Sequence, residues 1–587
     1  MLSLIAAYLN KRGGAVQRIR EIPPPATDDS LEVRVQTILD YYDKNLKKAE
    51  REMLTVLSAF RLPVPLNKHD FRRAIFQGET GAPKIHPRIR SVWLKPLIVL
   101  FYKLRDRLLK LCDRILKRKL SESPRLDSKL QAPVDTLNHQ VFKAMITRLI
   151  KTRVLRKDSQ TIAYYSLQPL IQAHYLEEFK TSPDWFRQTH QRIAEYYLKI
   201  AGPIPKQPRI ENILPAVEAV HHLCQAGEFE KAWDIFVERL IGKKVNKLLS
   251  NKLAAWDIYL DLHLDFFPSR DFTQEPQVKR TREKSIIVHN TGLAFENLGL
   301  PTNSKSLYER SITQKIEFED WIGVSITLEA LSYLYINCGD LRAAKTSIQQ
   351  SLSYLVHSSS RANHQWQEHT EMAVKAWVDC LKGDMEAAGQ SFQIAEDLLH
   401  QFKPGSLYLL YIVGVFYTGY LIKFKQLDKA RQVIEENLKI SRKSYSISDI
   451  SRCYRCLGDI SAEEQQHEAA KQHYQEALKI IWNTAEHGCL IEVLSARGRW
   501  AAKYMQDVET AQTDLTEALD YALSAGYRLS EADIRVGLAW MYYGRGDANR
   551  AKEEAERARQ MSEEMGYHWG QVDALEVLDK VELASCQ

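Results

Sequence analysis

The chain has 587 residues, 26% charged and 45% hydrophobic, with 81 Lys and Arg against 74 Asp and Glu for a formal charge of +7. At roughly 100 to 200 residues per domain, this length gives several domains or one long repeat array with ample apolar content for buried cores, which excludes disordered, collagen-like and disulfide-dense classes. Eight cysteines without regular pairing in so long a chain fit a reducing, cytoplasmic setting better than a secreted one. The opening MLSLIAAYLNKRGG is apolar from Leu2 to Leu9, but no basic residue precedes it and no small-residue cleavage site follows, so it does not read as a signal peptide.

Amphipathic patterns predict helices over Leu31–Leu46 and Lys48–Phe60, a short third over Leu66–Phe76 and a fourth over Asn138–Lys151. Between the third and fourth lies an insertion, Gln77–Gln131, with Pro83, Pro87, Pro96 and Pro124 and a basic amphipathic helix near Leu97–Leu120. Two short β-like runs around a polar turn follow over Val154–Leu170, then a helix over Ile171–Phe179. Helices followed by a β-hairpin are the order of a winged helix. GEFEKA at Gly227–Ala232 reads as a further helical hairpin.

Downstream the sequence repeats. A Gly/Asp turn with Ala five residues after its first position occurs as GDLRAA (Gly339–Ala344), GDMEAA (Gly383–Ala388) and GDANRA (Gly546–Ala551). Weaker copies are GLPTNS ending at Ser304, KQLDKA at Ala430, QQHEAA at Ala470 and QDVETA at Ala511, giving steps of 40, 44, 42, 40, 41 and 40 residues. Seven residues before each turn stands a small residue (Gly292, Ser332, Ala376, Thr418, Gly458, Ala539), with Arg499 the exception. Four residues after the Ala comes a large group such as Tyr308, Phe392 or Tyr474, and three further on a mostly small one, including Ala395 and Ala477. This spacing puts bulky and small residues on one helix face, where two helices of a hairpin can interlock. The inter-repeat loops share aromatics and glycines: EDWIG near Trp321, SAGYR near Tyr527 and MGYHWG near Trp569. Gln571–Ala584 reads as a terminal capping helix. The uncharged run Pro404–Ile422 is 19 residues long, just enough to cross a bilayer, yet its place in the register makes it the first helix of the fourth hairpin, buried among neighbours.

The order small, turn, Ala, aromatic, Ala resembles the tetratricopeptide repeat, with a period longer than the family's ~34 residues. A wider resemblance rests on LSLIAAYLNKRGGAVQRIREI, on AEREMLTVLSAFRLPVP (Ala49–Pro65), on THQRIAEYYLKIAG and on EAVHHLCQAGEFEKAWDIF through Phe236. Together they resemble the part that follows the nucleotide-binding core in STAND-class signalling ATPases of the NB-ARC type with C-terminal tetratricopeptide repeats. The resemblance implies a mainly α chain: residues 1–30 as a remnant of a helical domain, 31–180 as a winged helix carrying the basic insertion 77–131, 181–280 as a helical linker region, and 281–587 as tetratricopeptide-like repeats with a capping helix. No G-x-x-x-x-G-K-[ST] occurs, so the backbone nest and lysine that hold nucleotide phosphates are missing. A truncated or split gene would give such a chain. Where the family often has a nucleotide-sensing histidine in the winged helix, this sequence has Gln168.

No catalytic motif, metal set or cofactor fingerprint stands out. Cys453 and Cys456 form a C-x-x-C inside a repeat helix with no second pair at zinc spacing, so they read as small packing residues. His221 and His222 lack a neighbouring ligand set and HEAAKQH (His467–His473) lacks i, i+4 spacing, so both read as solvated or capping histidines.

The charge is uneven: Gln77–Lys157 holds 20 Lys and Arg against 6 Asp and Glu, a local +14, and the remainder is −7. Within that block Lys143, Arg148, Lys151, Arg153, Arg156 and Lys157 fall on the recognition helix and wing, where they could neutralise nucleic-acid phosphates or meet a partner. The expected function is a non-enzymatic sensor and scaffold that binds a protein or peptide on the solenoid and works with a P-loop ATPase domain supplied elsewhere, with no transmembrane segment. The alternative is a nucleic-acid-binding regulator with the repeats as effector domain.

Overall fold

The structure, a computed structural model, describes residues 46–585 except 67, 78–123, 153, 158–163, 242–247, 359–360 and 407. The segment 1–30, all but the last residue of the helix predicted over Leu31–Leu46, and the basic helix near Leu97–Leu120 lie outside the described residues. The chain divides into two units, Met1–Ile204 with Ile210–Ile235, and Pro205–Arg209 with Phe236–Gln587. Residues 181–280 are therefore shared between the two.

In the first unit, α1 (Lys48–Ser58) opens with a capping box in which Glu50 accepts from the Lys47 backbone N–H at 3.0 Å, and it buries Ala49, Met53, Leu54 and Leu57. The predicted third helix is only the turn α2 (His69–Arg72), running into a π-helical turn, Arg73–Gln77. After α3 (Pro124–Lys129), Asn138 caps α4 (His139–Lys151), which turns Val141, Phe142, Met145 and Leu149 inward. The β-like runs form a two-stranded antiparallel ribbon, β1 (Leu155–Lys157) with β2 (Tyr165–Leu167), and Val64 bridges to Tyr165 on the other edge of β2. Pro169 starts α5 (Pro169–Lys180), where Gln172 Nε2 donates to the Ser58 and Phe60 carbonyls and so caps the end of α1. Helices α6 (Pro183–Ile200), α7 (Ile210–Gln225) and α8 (Phe229–Ile235) complete the unit.

The second unit begins with π-helical turns at Phe236–Ile241 and Leu248–Lys252 and the helix α9 (Trp256–Leu264). Seven helical hairpins follow: α10 (Thr281–Asn297) with α11 (Pro301–Glu317), α12 (Trp321–Cys338) with α13 (Leu341–Leu355), α14 (Arg361–Leu381) with α15 (Met385–Phe402), α16 (Tyr411–Lys423) with α17 (Leu427–Ser444), α18 (Ile447–Glu463) with α19 (His467–Ile481), α20 (His487–Trp500) with α21 (Val508–Ala525), and α22 (Arg528–Gly544) with α23 (Ala548–Met565). The terminal helix α24 (His568–Ser585) starts three residues before its predicted position. Each hairpin packs on the next, so this unit is an α-solenoid. The run Pro404–Ile422 supplies α16, and among the described residues no helix is long and apolar enough to cross a membrane.

The repeat pattern has a direct backbone cause. All seven turn positions are left-handed: Gly299, Gly339, Gly383 and Gly546 at φ +74° to +84°, and also Lys425, Gln465 and Gln506 at +53° to +59°. Where Asp follows, its carboxylate caps the second helix, as Asp340 accepts from the Ala343 N–H at 2.9 Å and Asp547 from Arg550 at 3.2 Å. The small residue of the first helix then faces the large one of the second: a methyl group on Gly292 would sit 3.0 Å from the Tyr308 ring, and one on Gly458 2.6 Å from Tyr474. A polar tie, not foreseen from the sequence, joins the two helices. Ser311, Ser351 and Asn437 donate to the carbonyls of Ser285, Ser325 and Tyr411, and Ser451 to that of Ala477, each pair 26 residues apart.

The exception at Arg499 is a register slip. Helix α20 runs into a π-helical turn, Ala501–Met505, that inserts one residue before Gln506. The small residue is therefore Gly498, eight residues before the turn, where a methyl group would meet Leu515 at 2.7 Å.

A candidate ligand cavity inside the repeat array

The solenoid curls until its ends touch. Tyr527, before α22, donates its hydroxyl to the Glu296 carbonyl of α10 at 2.6 Å, and the Trp569 indole of α24 donates to the Cys380 carbonyl of α14 at 2.8 Å. Met565 and His568 lie against the turn glycines Gly339 and Gly383, whose missing side chains leave room for them. Of the three inter-repeat aromatics, Tyr527 and Trp569 reach across, whereas Trp321 stacks on Tyr354 within its own hairpin.

The curl encloses a cavity of about 800 Å³ lined by the first helices of the hairpins and by α24. Its lining is partly aromatic, with Trp377 and Phe416 stacked at 5.2 Å, Tyr333 5.8 Å from Phe416, and Trp540 and Trp569 also present. Lys423 Nζ stands 4.3 Å from the Trp569 ring centre. Charged side chains line the cavity as well. Arg452 is held by Glu486 at 3.2 Å and Glu492 at 3.1 Å, and Arg455 by Asp459 at 2.7 Å, which also accepts the Tyr474 hydroxyl at 2.8 Å. Burial works against the Arg452 charge, but Glu492, with Cys489 and Glu486, outweighs it and holds the guanidinium well above its usual value. Burial pushes Glu296, at the N-terminal side, up to about 7 even though it accepts the Tyr308 hydroxyl at 2.6 Å.

Arg499 differs from its neighbours. Its guanidinium makes no hydrogen bond; the nearest carboxylate, Asp533, is 3.9 Å from Nη1, although the side chain lines the cavity and is 35% exposed. Its aliphatic stem lies over Gly537. The sequence marked this residue only as a break in the small-residue register.

The residues singled out by sequence fall elsewhere. In the first unit, Lys143 and Lys151 are exposed on α4, and Arg156 and Lys157 on β1, while Arg153 lies outside the described residues. Arg148 is turned inward, paired with buried Glu50 at 3.1 Å and with Asp127, so its charge is already balanced. Gln168 is the half-buried N-cap residue of α5, and its side chain makes no cap hydrogen bond. His221 and His222 are buried, not solvated: His222 Nδ1 lies 2.8 Å from His190 Nδ1 within a box of Phe60, Phe179, Phe186 and Tyr197. Burial, and the charge of His221, depress His190 to about 3. Neither histidine had a local signal, because the partners are 32 residues apart. Cys453 and Cys456 are fully buried in α18 as packing residues. Among the described residues no group of three or more His, Cys, Asp or Glu side chains is placed to hold a metal ion.

No family model matches the chain, and no curated protein does. Solved structures do resemble it. A STAND protein with a tetratricopeptide repeat sensor from Pyrococcus horikoshii aligns over 99% of this chain and 72% of its own at 11% identity and TM-score 0.31. A Rap protein complexed with competence and sporulation factor covers 64% of this chain and 98% of its own at 10% identity and TM-score 0.37. The Rap conjugation gene regulator of plasmid pLS20, in complex with the Phr* peptide, covers 65% and 96% at 13% identity and TM-score 0.39.

Proposed function

We propose that this chain is a non-catalytic binding module whose repeat array takes a protein or peptide segment into its cavity. The supporting observation is the cavity itself: about 800 Å³, within the range of sites that enclose a small ligand, lined by aromatic side chains and by charged ones of both signs. The full chain should retain members of a random-sequence peptide library in equilibrium dialysis, and Trp377→Ala with Phe416→Ala should weaken retention about tenfold. A library that passes without enrichment would remove this reading.

The finer reading, a sensor module of a signalling ATPase in the cytoplasm, belongs to the same proposal. It rests on the order of the elements, a helix-and-ribbon unit ahead of the repeats. A winged-helix reading of that unit is supported by the order of α4 before the antiparallel pair β1 and β2, with the single bridge from Val64 to Tyr165 on the edge of β2. The chain alone should neither bind labelled ATP nor hydrolyse it, and robust hydrolysis would overturn the assignment.

One observation favours nucleic acid as a second partner: Lys143, Lys151, Arg156 and Lys157 are exposed together on α4 and β1. Random duplex DNA should then bind with an affinity that falls steeply with salt, and changing these four to Gln should abolish it. Absence of binding at low salt removes this second reading.

A further inference from the structure

Among the described residues, two cations that line the cavity, Lys423 and Arg499, make no hydrogen bond within the protein, and of the two only Arg499 is a guanidinium. Arg452 and Arg455, which also line the cavity, are each hydrogen-bonded to carboxylates. Outside it, Arg497 of the same helix grips Asp514 with two bonds of 2.6 and 2.7 Å. Arg499, two residues on, has none. Asp533 Oδ1 stands at 3.9 Å, beyond hydrogen-bond distance, and already accepts the Tyr567 hydroxyl at 3.0 Å. Asp573 lies 3.7 Å from Lys423, and although burial works against the Arg499 charge, Asp533 and Asp573 outweigh it and hold the guanidinium above its usual value. The next residue, Trp500, is only 6% exposed and also lines the cavity, yet its indole N–H has no acceptor. Arg499 Nε and the Trp500 indole N–H are thus each buried without an acceptor, where buried polar groups are ordinarily satisfied.

The backbone explains how they come to be there. The π-helical turn at Ala501–Met505 moves the small packing position from 499 to Gly498. It thereby puts an arginine at the cavity wall, and Gly537 on α22 leaves room for its stem. Such one-residue insertions often accompany functional sites.

We propose that the cavity binds a peptide through a carboxylate gripped by the Arg499 guanidinium. The planar fork of arginine matches a carboxylate in two parallel bonds, and a partly desolvated site strengthens them. The aromatic lining residues Trp377, Phe416, Trp540 and Trp569 receive the ligand's apolar part. This inference rests on the reading that a peptide enters the cavity, and it adds which chemical group is recognised and by which residue.

The test uses the full chain and three pools of N-acetylated random pentapeptides, with retention measured by native mass spectrometry. Two pools lack Asp and Glu and end in a free carboxylate or an amide; the third is amidated but contains Asp and Glu. Retention of the free-acid pool at least tenfold above its amide counterpart identifies a C-terminal carboxylate, and retention of the third pool alone identifies an acidic side chain. In either case Arg499→Met, which keeps the stem over Gly537, should lower retention about tenfold, with Arg499→Lys between it and the parent. Thermal unfolding of both variants reports whether the fold is kept, and the comparison of pools in the parent protein decides the matter if they unfold. Equal retention of all three pools, or no effect of a folded Arg499→Met, overturns the carboxylate assignment and leaves peptide binding standing. Retention of no pool removes both.

Discussion

Single residues set the turns and carry the clearest pH dependence. Lys425, Gln465 and Gln506 occupy a left-handed conformation that costs an L-residue roughly 1–2 kcal/mol, whereas four other copies use glycine. Each change to Gly at these three positions should raise the free energy of unfolding by about 0.5–1 kcal/mol, after the larger entropy of glycine in the unfolded chain is subtracted. Urea midpoints of the three single variants check this. Gly383→Ala should do the opposite, losing about 1–2 kcal/mol, because the new methyl group would stand 2.6 Å from His568 as well as in a left-handed backbone.

His263 supplies the pH dependence. It is fully buried, with Nδ1 donating to the Tyr259 carbonyl at 2.7 Å, and burial depresses it to about 4. The unfolded chain takes up that proton near pH 6.5, so below this value the unfolded state binds more protons than the folded one. The stabilising effect of keeping the ring neutral is complete above pH 6.5 and is lost at about 1.4 kcal/mol per unit as pH falls toward 4. Between pH 7 and pH 5 the parent protein should therefore lose about 2 kcal/mol more than His263→Leu, measured by urea unfolding at both values. Equal losses in the two proteins would exclude His263 as the source.

At the scale of the element, each hairpin is specified by interlock of a small and a large residue. Gly458 is the tightest of these, with Tyr474 fully buried and bonded to Asp459, so the ring has no room to give way. Gly458→Ala should cost about 1–3 kcal/mol, as overpacking of a core does. Gly292→Ala, facing Tyr308 at 3.0 Å, should cost less. The order of the two urea midpoints is the check. The interlock was legible in the sequence because both partners lie in one hairpin at constant spacing. The 26-residue ties were not, because Ser and Asn at the small position also pass for simple packing residues.

For the second unit as a whole, stability has two parts: a sum over neighbouring hairpins, as in any solenoid, and the contacts that join its ends. Removing one end contact should leave the neighbour terms intact. Tyr527→Phe loses the bond to the Glu296 carbonyl, about 1 kcal/mol. Hydrogen exchange should then quicken in α22 to α24 and in α10, with α16 to α19 unchanged. Uniform acceleration along the array would mean that the closing contacts are not a separable layer of the structure.

Local information alone determined the hairpins. The left-handed turn, its Asp cap, the Ala and the small and large pair all act within about 40 residues, and their recurrence exposed the period, the fourth-repeat identity of Pro404–Ile422 and the terminal helix. The tertiary structure decided what the hairpins enclose. The cavity draws its wall from helices up to about 280 residues apart, and its size depends on small rotations summed over seven hairpins until Tyr527 and Trp569 meet α10 and α14. The same holds for charge. Sequence grouped Arg148 with exposed lysines and passed over Arg499 as a defect in a pattern. Only packing shows that Arg148 is balanced within the core by Glu50 and Asp127, and that a one-residue π insertion leaves Arg499 at the cavity wall without a hydrogen-bonded partner.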